Sequence, residues 1–186
     1  EQGAWRPDGL LATRSWPGVE TMTAGYDAAK RATSLTFATA GSLTQAYDRD
    51  GNVTLDACIM DEFGNAGSVN FLQHIMHPIS VARRVMEKTP HVMLVGKGAE
   101  QFAASQGFKK EKLLTKESEK EWKEWLKKSE YKPYHNPGQH DTIGILALDS
   151  QGNLSGACTT SGMAFKMHGR VGDSPIIGAG LYVDGE

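Results

Sequence analysis

The stretch HDTIGILAL, residues 140–148, marks the point where an irregular loop becomes an apolar strand. The preceding segment YHNPGQ, residues 134–139, contains the Pro and Gly that are typical of loops. From Thr142 onward the residues are typical of a buried strand. We therefore expect Thr142, which directly follows His140 and Asp141, to lie where the loop ends and the strand begins. On local spacing alone the favoured interpretation is an ordinary strand-opening threonine preceded by a turn aspartate.

The next residues predict a hairpin that returns to this junction. SQGN, residues 150–153, is a turn signal, and LSGACTT, residues 154–160, has the pattern of a second strand. The hairpin would bring Thr159 or Thr160 back towards Thr142. A hydroxyl in that position could support a reactive threonine or simply be a structural hydroxyl of the sheet.

A glycine-rich loop with two opposite charges follows the hairpin. Arg170 suits a carboxylate, which it can bind through two parallel hydrogen bonds, and Asp173 suits an ammonium group. Together they match the two charged groups of a free amino acid. The structural alternative is an internal ion pair between them that braces the loop.

These motifs closely resemble the glycosylasparaginase (aspartylglucosaminidase) family, type 2 asparaginases of the N-terminal nucleophile hydrolase superfamily. The resemblance lies in HDTIG at 140–144 and TTSGMAFKMHGRVGDSPIIGAG at 159–180. Upstream, TLDACIMDEFGNAGSV at 54–69 and HPISVARRVMEKTPHVMLVGKGAEQFA at 77–103 resemble the same family. Residues 49–184 carry the resemblance.

The resemblance implies an α+β fold, a four-layer αββα sandwich that is incomplete in this chain; periodicity alone predicts only mixed α and β structure. It divides one structural domain into a poorly matching region 1–48, an alpha-subunit segment 49–141 and the start of a beta subunit at 142–186. Family members continue beyond the position of Glu186 with a Thr-Gly pair that supplies the oxyanion hole. We therefore expect a chain without those donors.

The resemblance also implies residue roles. Thr142 would be the nucleophile of a self-cleavage reaction at the Asp141–Thr142 bond, which His140 would shape, and afterwards of substrate hydrolysis. Its freed α-amino group, with a reference pKa of about 7.7 to 8.0, would act as the base. Thr160 would hydrogen-bond the nucleophile.

The implied substrate is an asparagine whose side-chain amide nitrogen carries N-acetylglucosamine. Arg170 would bind its α-carboxylate and Asp173 its α-amino group, with Gly172 in the same binding loop. No metal and no organic cofactor are implied. The alternatives are an isoaspartyl peptidase/L-asparaginase and a catalytically inert fragment.

Composition adds few constraints. The net charge of −2 gives no reason to expect nucleic acid or membrane partners, and no signal peptide or long apolar run is found. The resemblance implies a dimer of heterodimers in a periplasmic or lysosomal/secretory compartment. We expect Cys58 and Cys158 to be buried free thiols, and His74 and His77 to be ordinary surface or helix-cap residues.

The hydrophobic pattern predicts a series of elements along the rest of the chain. In order, they are a short helix at 22–32, a strand at 53–60, a turn at 61–65 and a returning strand from 66, a helix at 78–88, a buried strand at 91–95, a helix at 99–106, and a helix capped by Ser118 and Glu121. The helix at 78–88 would bury one face, formed by Ile79, Ala82, Val85 and Met86.

Overall fold

The computed structural model of the chain describes residues 47–128 and 142–184, together with the backbone of four strands nearer the N-terminus. The chain forms two compact units, Glu1–Leu43 and Thr44–Glu186. The predicted organisation into three segments within a single domain stays a prediction.

The first unit is an antiparallel sheet of four strands in the order β1-β2-β3-β4. Its strands are Gln2–Trp5 (β1), Leu11–Trp16 (β2), Val19–Tyr26 (β3) and Ala32–Ala38 (β4). The helix predicted at 22–32 is wrong, because residues 22–26 belong to β3 and Ala32 begins β4. Thr21 and Thr23 alternate with Met22 and Ala24, and β-branched residues at a period of two favour a strand over a helix.

The second unit contains a mixed five-stranded sheet in the order β7-β6-β5-β9-β8. Its strands are Leu55–Met60 (β5), Ala66–Leu72 (β6), Met93–Val95 (β7), Ile143–Leu148 (β8) and Leu154–Thr160 (β9). Strands β6 and β7 run parallel, and the other neighbours are antiparallel. Both predicted hairpins, β5–β6 and β8–β9, are confirmed, and three helices accompany this sheet. The chain is therefore α+β.

The helices are Pro78–Lys88 (α1), Gly96–Ser105 (α2) and Lys116–Leu126 (α3). Helix α1 has the predicted bounds and buries Val81 together with Ala82 and Val85 in the main core. It lies directly against β6: a Cβ added to Gly67 would stand 2.1 Å from the carbonyl oxygen of Ala82. Only glycine permits that approach of helix and sheet.

Two local predictions are wrong. The segment predicted as a buried strand at 91–95 forms only the three-residue β7, with Val95 55% exposed, because it pairs with β6 alone at the end of the sheet. Helix α3 is capped by Thr115, whose hydroxyl accepts a hydrogen bond from Ser118 N at 3.1 Å, so Ser118 is not the cap. The pattern Ser118-x-x-Glu121 resembles a capping box, but it lies inside the first turns of the helix, after the true cap.

The strand predicted as buried after Thr142 also differs. All six residues of β8 are exposed, with Leu146 at 66% and Leu148 at 69%, because β8 is the last strand of the described sheet. Both cysteines are buried free thiols, as predicted, and they face each other across β5 and β9. No helix in the described part of the chain is long and apolar enough to cross a membrane.

Candidate active site

Three hydroxyl groups from distant parts of the sequence meet at the start of β8. Thr142 is exposed, and its Oγ1 lies 3.2 Å from Thr160 Oγ1 and 3.3 Å from Ser174 Oγ. Thr160 Oγ1 also accepts a hydrogen bond from Gly162 N at 2.9 Å. The result is a chain of hydrogen bonds that ends on a solvent-accessible hydroxyl.

The β8–β9 hairpin accounts for the position of Thr160. Its register places Ile143 opposite Thr159, so the preceding Thr142 lies beside Thr160. Thr159 faces the other way and donates to the carbonyl oxygen of Asp56 at 3.0 Å. Because side chains alternate along a strand, Thr160 is the hydroxyl that is available to Thr142. The sequence predicted that either Thr159 or Thr160 would lie near Thr142, and in the structure it is Thr160.

Ser174 reaches the same point from the glycine-rich loop, which is held at several positions. Ser174 is 2% exposed, and its carbonyl oxygen accepts a hydrogen bond from Cys58 Sγ at 3.0 Å. The next carbonyl, of Pro175, accepts from Ser68 Oγ at 2.6 Å. A Cβ on Gly180 would lie 2.4 Å from Ser174 Cα, so this backbone also passes in close contact with the chain that follows.

The thiol of Cys58 is suited to this anchoring role. Burial raises the pKa of Cys58 to about 12, and the neighbouring Cys158 thiol adds to the rise. Burial also raises the pKa of Cys158; the Asp173 carboxylate adds to that rise, and a hydrogen bond with the Ser174 side chain opposes it. Both groups therefore remain neutral at physiological pH, and Cys58 keeps the proton that it donates to the loop.

The Arg170 guanidinium lies against two glycines that border the site. Arg170 Nη1 would be 3.3 Å from a Cβ on Gly162 and 3.3 Å from a Cβ on Gly172. Arg170 is exposed, as is Asp173, and no ion pair joins the two within the part of the chain that the structure describes. The structural alternative of a bracing ion pair therefore has no support here.

A buried lysine holds the turn between the hairpin and this loop. Lys166 is 1% exposed and donates to the carbonyl oxygen of Ser161 at 2.5 Å and to that of Thr54 at 3.4 Å. Gly162 has a φ of +79°, and its missing Cβ leaves the space in which Lys166 Nζ lies. Lys166 thus fixes the residues directly after Thr160.

Two predicted site residues, His140 and Asp141, lie outside the described residues. Among the described ones, sequence reasoning missed Ser174 and Lys166. Ser174 stands directly after Asp173 in the quoted motif, but nothing in the spacing shows which of its neighbours faces Thr142. A lysine inside an apolar run, between Phe165 and Met167, was the available signal for a buried cation.

One group of side chains in the described residues has a spacing suitable for a metal ion: Asp48, Asp50 and His168. The buried Asp48 carboxylate already accepts hydrogen bonds from Asp50 N, Asn52 N, Asn52 Nδ2 and His168 Nδ1, at 3.0, 2.8, 3.3 and 3.0 Å. Its lone pairs are satisfied by the protein, so the cluster stabilises a turn. Elsewhere, His74 Nδ1 pairs with Glu100 at 2.7 Å, and His77 is the N-cap residue of α1, as predicted.

Comparison with known proteins identifies the family of the chain. The model of a family described as asparaginase matches residues 21–186. The chain is 78% identical over 139 residues to an N(4)-(beta-N-acetylglucosaminyl)-L-asparaginase of Elizabethkingia miricola, an alignment that covers 75% of this chain and 41% of that protein. It is 42% identical over 180 residues to an isoaspartyl peptidase/L-asparaginase of Rattus norvegicus, covering 87% of this chain and 54% of that protein.

An isoaspartyl peptidase of Salmonella typhimurium is 43% identical over 153 residues, covering 74% of this chain and 47% of the relative. The chain thus spans about half the length of the curated relatives that it matches. The family model extends into the region 1–48, which the motifs alone had left unmatched. The chain therefore belongs to the asparaginase family of the N-terminal nucleophile hydrolase superfamily.

Proposed function

We propose that this chain carries the nucleophile and substrate-binding loop of an amidohydrolase that hydrolyses the side-chain amide bond joining N-acetylglucosamine to asparagine. The observation that carries the proposal is the position of Thr142. The residue is exposed, its Oγ1 donates to Thr160 Oγ1 at 3.2 Å, and it lies beside the loop that holds Arg170 and Asp173. The 78% identity with a protein named for this activity supports the substrate.

The first reaction of the proposal is self-cleavage. Thr142 Oγ1 attacks the carbonyl carbon of Asp141, an ester bond forms, and the peptide C–N bond breaks as the proton of the hydroxyl passes to the leaving nitrogen. Water then hydrolyses the ester, which restores the hydroxyl and leaves a carboxylate on Asp141. Thr142 becomes an N-terminal residue whose free amine can accept the proton of its own hydroxyl near neutral pH.

The second reaction uses the same oxygen. Thr142 Oγ1 attacks the side-chain amide carbon of the glycosylated asparagine, the glycosylamine leaves with a proton, and water releases aspartate from the ester. Arg170 binds the α-carboxylate, because its exposed guanidinium has no carboxylate partner among the described residues. Asp173 binds the α-amino group, and Gly172 lets the loop pass close to Arg170.

The full fold of this proposal is the αββα sandwich of the superfamily. The packing of α1 against β5 and β6 supports one sheet layer with its helical cover. Relatives that are isoaspartyl peptidases, at 41–46% identity, favour a second candidate function on the same nucleophile.

Self-cleavage is the direct test of the nucleophile. The purified chain should convert into pieces 1–141 and 142–186, measured by intact mass over time, and Thr142→Ala should remain a single chain. Thr89→Ala is the matched control, since the hydrogen bonds of Thr89 Oγ1, to Val85 O at 2.8 Å and to the backbone of His91, lie at the C-terminus of α1. It should lower stability and still cleave. A wild-type chain that stays intact would support an inert fragment and contradict the proposal.

The substrate is tested on the cleaved material. Release of aspartate from N-acetylglucosaminyl-asparagine should exceed release from an isoaspartyl dipeptide, and Arg170→Lys should reduce both. The reverse order of the two substrates would favour the isoaspartyl peptidase. Loss of turnover only in Thr142→Ala, with Arg170→Lys unaffected, would remove Arg170 from the binding role.

A further inference from the structure

We propose that Ser174 is a positioning residue that donates a hydrogen bond to Thr142 Oγ1 and fixes the orientation of the attacking hydroxyl. The inference builds on the proposed role of Thr142 as nucleophile and adds a residue to which no role has been assigned. It starts from one contact, the 3.3 Å between Ser174 Oγ and Thr142 Oγ1.

The direction of this hydrogen bond follows from counting protons. Each hydroxyl carries one proton, and that of Thr142 is directed at Thr160 Oγ1, 3.2 Å away. Thr160 Oγ1 receives a second hydrogen bond from Gly162 N at 2.9 Å. Thr142 Oγ1 therefore has no proton to give to Ser174, and Ser174 must be the donor. Its bond occupies one lone pair of Thr142 Oγ1 and leaves the other for attack.

Ser174 is placed to do this because its backbone cannot move freely. Cys58 Sγ donates to its carbonyl oxygen at 3.0 Å, Ser68 Oγ donates to that of Pro175 at 2.6 Å, and Gly180 lies against its Cα. The side chain is 2% exposed, so water has little access to replace the bond. A reacting group held by buried neighbours spends more of its time in the reactive geometry.

The test compares Ser174→Ala with Ser118→Ala in the full chain. Both remove the hydroxyl of a serine that is 2% exposed, but only Ser174 contacts Thr142, whereas Ser118 Oγ accepts a hydrogen bond from Thr115 Oγ1 at 3.1 Å in α3. Ser174→Ala should slow the first-order self-cleavage by about tenfold, as expected for the loss of one hydrogen bond in the transition state. Ser118→Ala should lower the melting temperature and cleave within about twofold of wild type. Ser174→Thr, which keeps the hydroxyl, should restore the rate.

A second measurement does not depend on cleavage. The three-bond coupling between N and Cγ2 of Thr142, measured by NMR, should report one χ1 rotamer in wild type and in Ser118→Ala, and an average over rotamers in Ser174→Ala. An unchanged coupling in Ser174→Ala overturns the inference. If the coupling changes in Ser174→Ala but the wild-type chain never cleaves, the positioning role is supported and the proposed function is contradicted. The two failures are therefore distinguishable.

Discussion

At the level of single residues, the candidate site depends on small side chains that let backbone segments touch. Ser174 can reach Thr142 because the chain at Gly180 passes directly over it: a Cβ there would be 2.4 Å from Ser174 Cα and 2.5 Å from the carbonyl oxygen of Asp173. These are backbone atoms, which cannot rotate away as the end of a flexible side chain can. The close approach of Gly180 therefore helps to set the position of the Ser174 hydroxyl beside Thr142.

Gly180→Ala should both destabilise the chain and slow self-cleavage. Inserting a methyl group into a packed contact typically costs about 1–3 kcal/mol, and here the strain displaces the loop that carries Ser174. Chemical denaturation and the cleavage rate measure the two effects. Gly98→Ala is the control, because nothing lies within 4 Å of the added Cβ, and it should keep or raise stability. A Gly180→Ala chain with wild-type stability and rate would show that the loop accommodates the methyl group.

At the level of elements, strand β8 has the sequence of a buried strand and the environment of an exposed one. It forms one end of the described sheet, and it pairs there with β9 alone. An apolar strand with an unpaired edge is a template for pairing with another chain. The strand that begins directly after Thr142 is therefore also the strand that exposes the most apolar surface of the hairpin.

Leu148→Lys should reduce self-association of the chain. Leu148 is 69% exposed and is the last residue of β8, at the opposite end of the strand from Thr142, and a lysine on an edge strand opposes edge-to-edge pairing. Light scattering against protein concentration measures the effect. Phe63→Lys is the control: Phe63 is 80% exposed but lies in the β5–β6 turn, so its replacement should not change association. Equal effects of both variants would indicate general hydrophobic adhesion.

At the level of the whole molecule, stability against acid depends on a buried carboxylate that joins α2 to two loops. Glu100 is 8% exposed and accepts hydrogen bonds from His74 Nδ1 at 2.7 Å, Lys110 Nζ at 3.0 Å and Gln73 N at 3.1 Å. Burial alone would raise the pKa of Glu100, but these hydrogen bonds outweigh it and hold the pKa below its ordinary value of 4.5. A carboxyl whose pKa is lowered by folding stabilises the folded state above its unfolded pKa.

Glu100→Gln should therefore lower the free energy of unfolding by about 2 kcal/mol at pH 7, since three donors lose a charged acceptor. The difference in free energy of unfolding between wild type and variant should shrink as the pH falls from 4.5 through the lower pKa of the folded carboxyl, because the native carboxylate then becomes protonated. Thermal unfolding across this pH range measures it. Glu87→Gln, which removes an exposed pair with Arg83, should change little. A difference between wild type and Glu100→Gln that persists at low pH would mean that packing, not charge, is responsible.

The sequence by itself determined the local elements whose signals are short-range. Turn residues at 61–65 and 150–153 determined both hairpins, and Pro78 with an apolar face determined α1 at its observed bounds. The motifs also indicated the family, which the comparisons confirm, and they predict the candidate residues Thr142, Thr160 and Arg170. The hairpins and α1 are confirmed because turn chemistry and side-chain period act between residues that are close in the chain.

Only the tertiary structure decided which strands are covered and which hydroxyls meet. Strands β7 and β8 have apolar sequences but lie at the ends of the described sheet, so their exposure depends on neighbours and not on their own residues. Ser174 is brought to Thr142 by contacts with Cys58 and Ser68, more than a hundred residues away in sequence. Burial and contact depend on the whole packed chain, and no local pattern carries that information.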